Sequence, residues 1–387
     1  MSVHEPSFRH LVNQILETSP PGASLSPSGF SIITAVCAKV CLFMPSDLFP
    51  LGECLGDVFL KASRSCLASY LDADLENPCA DSITIRYLHS NCLHISARPK
   101  VAWHSFGEAV RLILQMRLYD EDSYAALPLI EEEKRRNAFW QLYTGDKSLA
   151  VLRSMPITIH EYTFEQGITT AYPSCDQNKL ITGFNAGTKL WRYAADLLLQ
   201  MRMISTSQAL GPGLPHTSLT PLDYTTLGDL YVRFATCLDD LLPHLLPDGI
   251  TPLSGSNGTT ANNGFTVQVA DLHVTYHCLR MHLTMALEKI GFFSYTGHPN
   301  DMLVLRKTEI AGDMVRLLQR LPFWSLQVNG EPCTEKIRLV GTSLLAIIQE
   351  PSSSHLGTRA RRDFAVLLDI LSQLDSKASD TLRRELL

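Results

Sequence analysis

The strongest constraint on the fold comes from Lys100–Ile159, where two amphipathic helical patterns follow each other. Apolar residues of the first pattern recur at steps of three and four, which places them on one helix face. These residues are Ala102, Phe106, Ala109, Val110, Ile113 and Met116. The second pattern has the same spacing at Ala138, Phe139, Leu142, Tyr143, Leu149 and Ala150. Pro156 marks the end of the second helix, because proline lacks an N–H and restricts the residue before it. The stretch predicts a helical hairpin.

The charges at the start of the second helix have a structural explanation. Three acidic residues, Glu131–Glu133, precede Lys134, Arg135 and Arg136. Carboxylates near a helix N-terminus are stabilised by the helix dipole. Glu–Arg pairs three or four residues apart add surface pairs of about 0.3–0.5 kcal/mol each. Arg135 and Arg136 are therefore expected to belong to the scaffold.

Asp146 is the unusual charge of the hairpin, because it lies on the apolar face of the second helix and is predicted to be buried. A buried carboxylate needs a partner. Arg135 and Arg136 are too far away, since ten residues of helix span about 15 Å. The candidate partners that remain are Arg111, Arg117 and Arg153. A structural ion pair is favoured over a catalytic role, since structural networks also perturb carboxylates.

The composition is that of a globular protein: 45% of the 387 residues are hydrophobic and 19% are charged. The net charge is −6, whereas a surface that binds DNA is normally basic. Direct DNA binding by this chain is therefore not expected. The N-terminus has no secretory pattern. The most apolar stretch, Phe30–Met44, is too short for a membrane span and contains Lys39, so no membrane association is expected.

Helical patterns recur along the whole chain, and the predicted fold class is all-α with many helices. Residues 82–94 begin with β-branched side chains that favour a strand, but the lack of any other convincing strand favours a helix. The predicted organisation is a helical region at 1–204 and a linker at 205–226 rich in Gly, Pro, Ser and Thr. A helical C-terminal region follows at 227–387, interrupted by a flexible loop at 249–264.

The patterns that catalysis or a cofactor would require are weak or missing in the sequence. None of the ten cysteines forms the C-x2-C pair typical of zinc sites. A helical cluster, His273, His277, Cys278 and His282, could hold a metal, but ordinary core histidines are favoured. No nucleophile elbow or phosphate loop occurs. The sequence predicts a protein that is not an enzyme and has no cofactor or metal of its own. The basic string Thr358–Arg362 is a weak nuclear-import candidate, and a solvated helix start is the alternative.

The hairpin resembles the fungal-specific transcription factor domain, the middle homology region of fungal zinc-cluster regulators. Ala102–Leu112, with Trp103 and Gly107, is similar to the family helix A-W-x-x-x-G-x-A-I-R-L-A. Glu132–Trp140 resembles the run E-x-R-R-R-x-F-W. The residues of this run that match are Arg135, Arg136, Phe139 and Trp140.

Two more segments complete the resemblance, which is strong over Tyr87–Ile159. Tyr143–Ala150 is similar to Y-x-x-D-r-x-x-A. Arg153–Ile159, with Pro156, is similar to G-R-P-x-x-I, the last segment of the family motif. Leu118–Asp120 departs from the family, which has Gly-Leu-His there. The six-cysteine zinc cluster that binds DNA in the family has no counterpart in this sequence. Zinc is expected only if such a module lies upstream.

The resemblance implies an all-helical regulatory domain in the nucleus that controls a fungal metabolic or biosynthetic gene set. Its expected partners are other transcription proteins or a second copy of the chain, together with a small-molecule effector. A second hypothesis is a metabolite-sensing helical module that acts through protein partners with no DNA contact. It rests on the apolar helical content and on convergent polar groups at Trp103, Tyr143 and Asp146.

Overall fold

A computed structural model describes residues 3–17, 25–44, 49–174, 180–210, 219–249, 260–294, 299–349 and 355–374. These residues form thirteen α-helices and no strand, which confirms the predicted all-α class. The chain forms two compact units. Unit 1 comprises residues 1–146 and 156–181, and unit 2 comprises residues 147–155 and 182–387. The predicted division, with a boundary at 204, rests on composition and stays a prediction.

Unit 1 is built on six helices and most of a seventh. Their bounds are α1 Glu5–Glu17, α2 Pro27–Phe43, α3 Gly52–Ser69, α4 Leu71–Glu76, α5 Ala80–Ile95, α6 Pro99–Gln115 and α7 Leu129–Leu152. The ambiguous residues 82–94 lie inside α5, so the helical interpretation was right. The Ser26 side chain accepts a hydrogen bond from the N–H of Gly29, which has no partner within the helix. Pro27 occupies the first turn of α2, where its fixed φ angle suits the helix.

The core of unit 1 lies where α2, α3, α5 and α6 pack. Ile32, Ile85 and Leu88 are each at most 2% exposed in one cluster, and Leu93 is fully buried in another. The predicted hairpin is α6 followed by α7. These two helices approach closely at Gly145, where a Cβ would lie 2.8 Å from the Phe106 ring.

Unit 2 continues with α8, which begins at the boundary between the units. The bounds are α8 Leu180–Leu210, α9 Pro221–Ala235, α10 Thr260–Lys289, α11 Pro299–Arg320, α12 Phe323–Gln349 and α13 His355–Gln373. Gly330 has a φ of 62° and interrupts the helical path of α12. The core of the unit lies between α10, α11, α12 and α13.

Two predicted flexible segments are shorter in the structure than in the prediction. Helices α8 and α9 take up both ends of the predicted linker at 205–226, since they run to Leu210 and from Pro221. Thr220 and Asp223 form a capping box at the start of α9. The linker prediction was based on composition and did not include this helix start. Helix α10 begins at Thr260, inside the predicted loop at 249–264. Residues 211–218 and 250–259 lie outside the described residues.

Candidate functional site

Four polar or aromatic side chains of α7 follow one another at steps of three or four residues: Arg136, Trp140, Tyr143 and Asp146. This spacing places them along one face of the helix. We call these four residues the anchor stripe. All four are buried; Trp140 and Tyr143 have no measurable exposure. A stripe this polar at full burial needs partners from another segment of the chain.

The partners come from the segment that follows α7, residues 156–173, which we call the return segment. It contains only one 3₁₀ turn, Glu161–Thr163, and no α-helix. Its backbone N–H and C=O groups therefore lack the partners that a regular helix would supply, and must find them elsewhere. The anchor stripe supplies several of these partners.

Asp146 holds the beginning of the return segment. Its carboxylate is 2% exposed and accepts the N–H of Thr158 at 2.9 and 3.1 Å and the N–H of Ile159 at 3.0 Å. Hydrogen bonds from amides to an ionised carboxylate are roughly twice as strong as neutral ones. The carboxylate thus fixes the direction in which the chain leaves α7.

The prediction that Asp146 would be buried is confirmed. Of the arginines predicted as its partners, Arg153 pairs with Glu335 and Arg117 pairs with Asp120. Arg111 is exposed on α6. The backbone amides of the return segment provide donors to the carboxylate, and a structural ion pair of Asp146 stays a prediction.

Arg136 holds the end of the return segment through a network of charges. Its guanidinium donates to both oxygens of Glu121, at 2.8 and 3.0 Å, and lies 4.3 Å from the centroid of the Tyr124 ring. It also donates to the carbonyl oxygen of Ala171 at 3.3 Å, while the Thr169 hydroxyl donates to Glu121. The hydrogen bond from Arg136 lowers the pKa of Glu121. The same hydrogen bond raises the pKa of Arg136.

Trp140 and Tyr143 fill the middle of the stripe. The indole N–H of Trp140 donates to the Ala171 carbonyl at 2.9 Å, and its ring stacks on Tyr172 with centroids 4.3 Å apart. The Tyr143 hydroxyl donates to Glu161 at 2.6 Å. Each aromatic side chain therefore combines a packed ring with a satisfied polar atom, as buried Trp and Tyr generally require.

The remaining residues of the family motif have different environments. Phe139 is 1% exposed, and Arg135 pairs with Glu131 at 2.7 Å. Trp103 is 48% exposed and Pro156 is exposed. Sequence reasoning missed the partners of the stripe, which are Glu121, Glu161, Thr169, Ala171 and Tyr172. These partners lie 15 to 48 residues along the chain from the residues they contact, and the return segment has no periodic pattern. Only Glu121 had a signal in the sequence, which is the acidic character of the α6–α7 connection.

Two glycines of the hairpin allow a matched test of its packing. We expect Gly145→Ala to lower the free energy of unfolding by about 1–3 kcal/mol, because its Cβ would lie within 3.1 Å of two Phe106 ring atoms. Gly107→Ala is expected to raise that free energy by about 0.5–1 kcal/mol, because its Cβ meets nothing closer than 3.7 Å and alanine favours the helix. Urea denaturation of both variants measures these changes. Equal effects would show that α6 and α7 do not approach closely at Gly145.

A buried histidine gives unit 1 a pH-dependent stability. The Ser63 hydroxyl donates to the Ser31 carbonyl and accepts from Nε2–H of His89 at 2.7 Å. Burial, with Arg64 and Arg86 nearby, lowers the pKa of His89 from 6.5 to about 3. The unfolded chain then binds a proton that the folded chain does not, so stability is complete above pH 6.5 and falls as the pH drops toward 3.

We therefore expect the unfolding free energy to fall by roughly 1.4 kcal/mol per pH unit for this histidine over that range. His89→Gln should show a smaller slope in urea denaturation at several pH values. His104→Gln is the matched control, because the His104 imidazole is exposed on α6. An unaltered slope in His89→Gln would mean that another group causes the pH dependence.

His273 and His277 of α10, two residues of the predicted metal cluster, contact different groups. His273 Nε2–H donates to the Leu245 carbonyl at 2.9 Å, and His277 Nδ1 lies 3.3 Å from an Arg280 nitrogen. Burial lowers the pKa of His273, and burial together with Arg280 lowers the pKa of His277 to about 3. Among the described residues, no group of three or more His, Cys, Asp and Glu side chains is placed to hold a metal ion.

Unit 2 contains a cavity of about 520 Å³. Residues of α8, of α9 and of the segment that follows α9 as far as Leu245 line it. Its wall combines leucines and a tyrosine with three charged side chains, Lys189, Arg233 and Asp240. Roughly 300–1,000 Å³ is the usual size of a small-molecule site.

The anchor stripe is a scaffold, because its polar atoms hold the return segment in place. Residues 59–209 match the family described as "Fungal specific transcription factor domain". In the described part of the chain, no helix is long and apolar enough to cross a membrane.

Relatives with known roles match a shorter part of the chain. The citrinin biosynthesis transcriptional activator mrl3 of Monascus ruber is 32% identical over 129 residues, which cover 32% of this chain and 25% of the relative. The activator ctnR of Monascus purpureus, also for citrinin biosynthesis, is 32% identical over 129 residues, covering 32% and 22%. The pigment biosynthesis transcriptional activator pigB of Monascus ruber is 31% identical over 85 residues, covering 19% and 15%.

The chain thus spans about a quarter or less of the length of these relatives. No solved structure matches the chain significantly.

Proposed function

We propose that this chain acts in a transcription regulator that controls a fungal metabolic or biosynthetic gene set. The match of residues 59–209 to the transcription factor domain carries the proposal. The three relatives are transcriptional activators of citrinin or pigment biosynthesis. The anchor stripe supports a regulatory role, because its residues hold a surface segment in place and leave no organised nucleophile or acid–base pair among themselves.

In this proposal the chain works in the nucleus through contacts with other transcription proteins or with a second copy of itself. Arg361 and Arg362, part of the basic string 358–362, are exposed near the start of α13, where an import receptor could bind them. Direct DNA reading belongs to another module or partner, because the net charge is −6. Arg135 and Arg136 are already paired with carboxylates.

The test is transcription in a strain that lacks the gene. We expect the transcripts of one biosynthetic gene set to change, and to recover when the gene is restored. A gel-shift assay of the purified chain should show only non-specific duplex binding, with Kd in the range of roughly 10⁻⁴–10⁻⁶ M. Unaltered transcription of every gene set contradicts the proposed function, whereas tight sequence-selective binding contradicts only the indirect mode of action.

A second candidate function is a metabolite-sensing module that acts through protein partners and makes no DNA contact. The observation that favours it is the cavity of about 520 Å³ in unit 2, with three charged side chains among its lining. A chain that senses a metabolite would be stabilised by that metabolite, because a ligand that binds only the folded state raises the free energy of unfolding.

A further inference from the structure

The cavity of unit 2 is lined by both polar and apolar side chains. Among the apolar ones, Leu245 is 1% exposed, and Ala186 and Leu241 are half-buried. Cys237 also lines the cavity, and burial raises the pKa of this thiol to about 12, so the sulfur is neutral. The apolar part of the lining favours a ligand with an apolar body, because the contact removes apolar surface from water.

The charged side chains lie at the solvent-exposed edge of the cavity. Lys189, Arg233 and Asp240 are all exposed lining residues. The Arg233 guanidinium lies over the Tyr193 ring, 5.0 Å from its centroid. This contact restrains the side chain, and the N–H groups of the guanidinium remain available for hydrogen bonds.

Arg233 has no ion-pair partner among the described residues. In the described ranges, no carboxylate lies within 4.0 Å of its guanidinium, and no cation lies within 4.0 Å of the Asp240 carboxylate. Arg136, in contrast, has two carboxylate partners. An arginine that is stacked on an aromatic ring and is not paired is suited to bind a carboxylate through two parallel N–H bonds.

We propose that this cavity binds a small amphipathic organic carboxylate that also carries a hydroxyl group. The apolar body lies against Leu241 and Leu245, and the ligand carboxylate accepts hydrogen bonds from Arg233. The hydroxyl group donates to Asp240. Asp240 also disfavours ligands with several negative charges, such as phosphate esters, because it adds a like charge to the site. The inference deepens the metabolite-sensing function proposed above and rests on it.

The test is calorimetric titration of the full chain with 4-hydroxybenzoate and with 4-hydroxybenzyl alcohol, which has the same ring and hydroxyl group but no charge. We expect saturable binding of the carboxylate and binding at least about tenfold weaker for the alcohol, the effect of losing a charge-assisted pair. Arg233→Gln should weaken carboxylate binding by about the same factor.

The matched control is Arg306→Gln. Arg306 also stacks on a tyrosine, at 4.7 Å from the Tyr231 centroid, but it does not line the cavity. Unaltered binding in this variant supports the inference. Three results would overturn it: no saturable binding of 4-hydroxybenzoate, equal binding of the alcohol, or full affinity in Arg233→Gln.

The two proposals fail separately. Loss of carboxylate binding overturns only the ligand assignment if deletion of the gene still alters transcription. Unaltered transcription overturns the regulatory function even if the purified chain binds the carboxylate. A third variant, Asp240→Asn, should reduce the preference for 4-hydroxybenzoate over benzoate, and an unaltered preference would contradict the role of Asp240.

Discussion

Replacement of Asp146 by alanine is expected to lower the free energy of unfolding of unit 1 by about 3–5 kcal/mol. The substitution removes a buried carboxylate and leaves the N–H groups of Thr158 and Ile159 without the acceptor that they have now. A buried donor without a partner costs about 1–3 kcal/mol. Urea denaturation measured by fluorescence gives the loss directly.

Two variants make this expectation specific. Asp146→Asn keeps one oxygen as an acceptor but faces the second amide with an N–H₂ group, so we expect a smaller loss of about 1–3 kcal/mol. Asp57→Ala changes an exposed carboxylate in the middle of α3 and should stay within about 0.5 kcal/mol of the unmodified chain. A midpoint for Asp146→Ala equal to that of Asp57→Ala would refute the role of the carboxylate.

Hydrogen exchange separates this role from a general loss of packing. In Asp146→Asn the amides of Thr158 and Ile159 should exchange faster, because they lose their charged acceptor. The amides of α2, which packs against α3 and α5, should keep their protection. Uniform acceleration across unit 1 would instead indicate global destabilisation.

The helices of this chain could be predicted because their signals are local. The three- and four-residue spacing in α6 and α7 gave the correct face: Ala109, Ile113 and Tyr143 have no measurable exposure. The start of α2 also has a local signal, since Ser26 caps the helix and Pro27 occupies its first turn. Local patterns of this kind depend only on backbone geometry.

The partners within the candidate site could not be predicted, because they come from distant or irregular parts of the chain. The burial of Asp146 followed from its position on the helix, but its acceptor role depends on the path of the return segment. A buried ion pair that the sequence did not predict lies between Arg86 and Asp74, 2.7 Å apart. Arg86 stands in a stretch whose periodicity was ambiguous, so no local pattern marked it as buried.

The domain division also depends on non-local packing. Gly, Pro, Ser and Thr mark residues 205–226 as a linker by composition, but composition does not show where a helix stops. Proline at the first turn and a capping box start α9 at Pro221. The compact units meet in sequence at residues 146, 156 and 181, positions where tertiary contacts change and the composition does not.

Trp140→Ala is expected to have an effect on unit 1 of similar size, a loss of about 3–5 kcal/mol. The indole is fully buried, stacks on Tyr172 and donates to the Ala171 carbonyl. The substitution therefore creates a cavity and removes the donor of a backbone carbonyl in one step. Urea denaturation measures the loss, and hydrogen exchange of residues 156–173 measures the release of the return segment.

The chain provides a matched control, since Trp103 is the other tryptophan of the family motif in unit 1 and is 48% exposed. Trp103→Ala should alter the unfolding free energy by less than about 1 kcal/mol. Trp140→Phe keeps most of the apolar contact and loses only the N–H, so it should cost about 1–2 kcal/mol. The three variants separate ring packing from hydrogen bonding. Equal losses in Trp103→Ala and Trp140→Ala would contradict the role of Trp140 in holding the return segment.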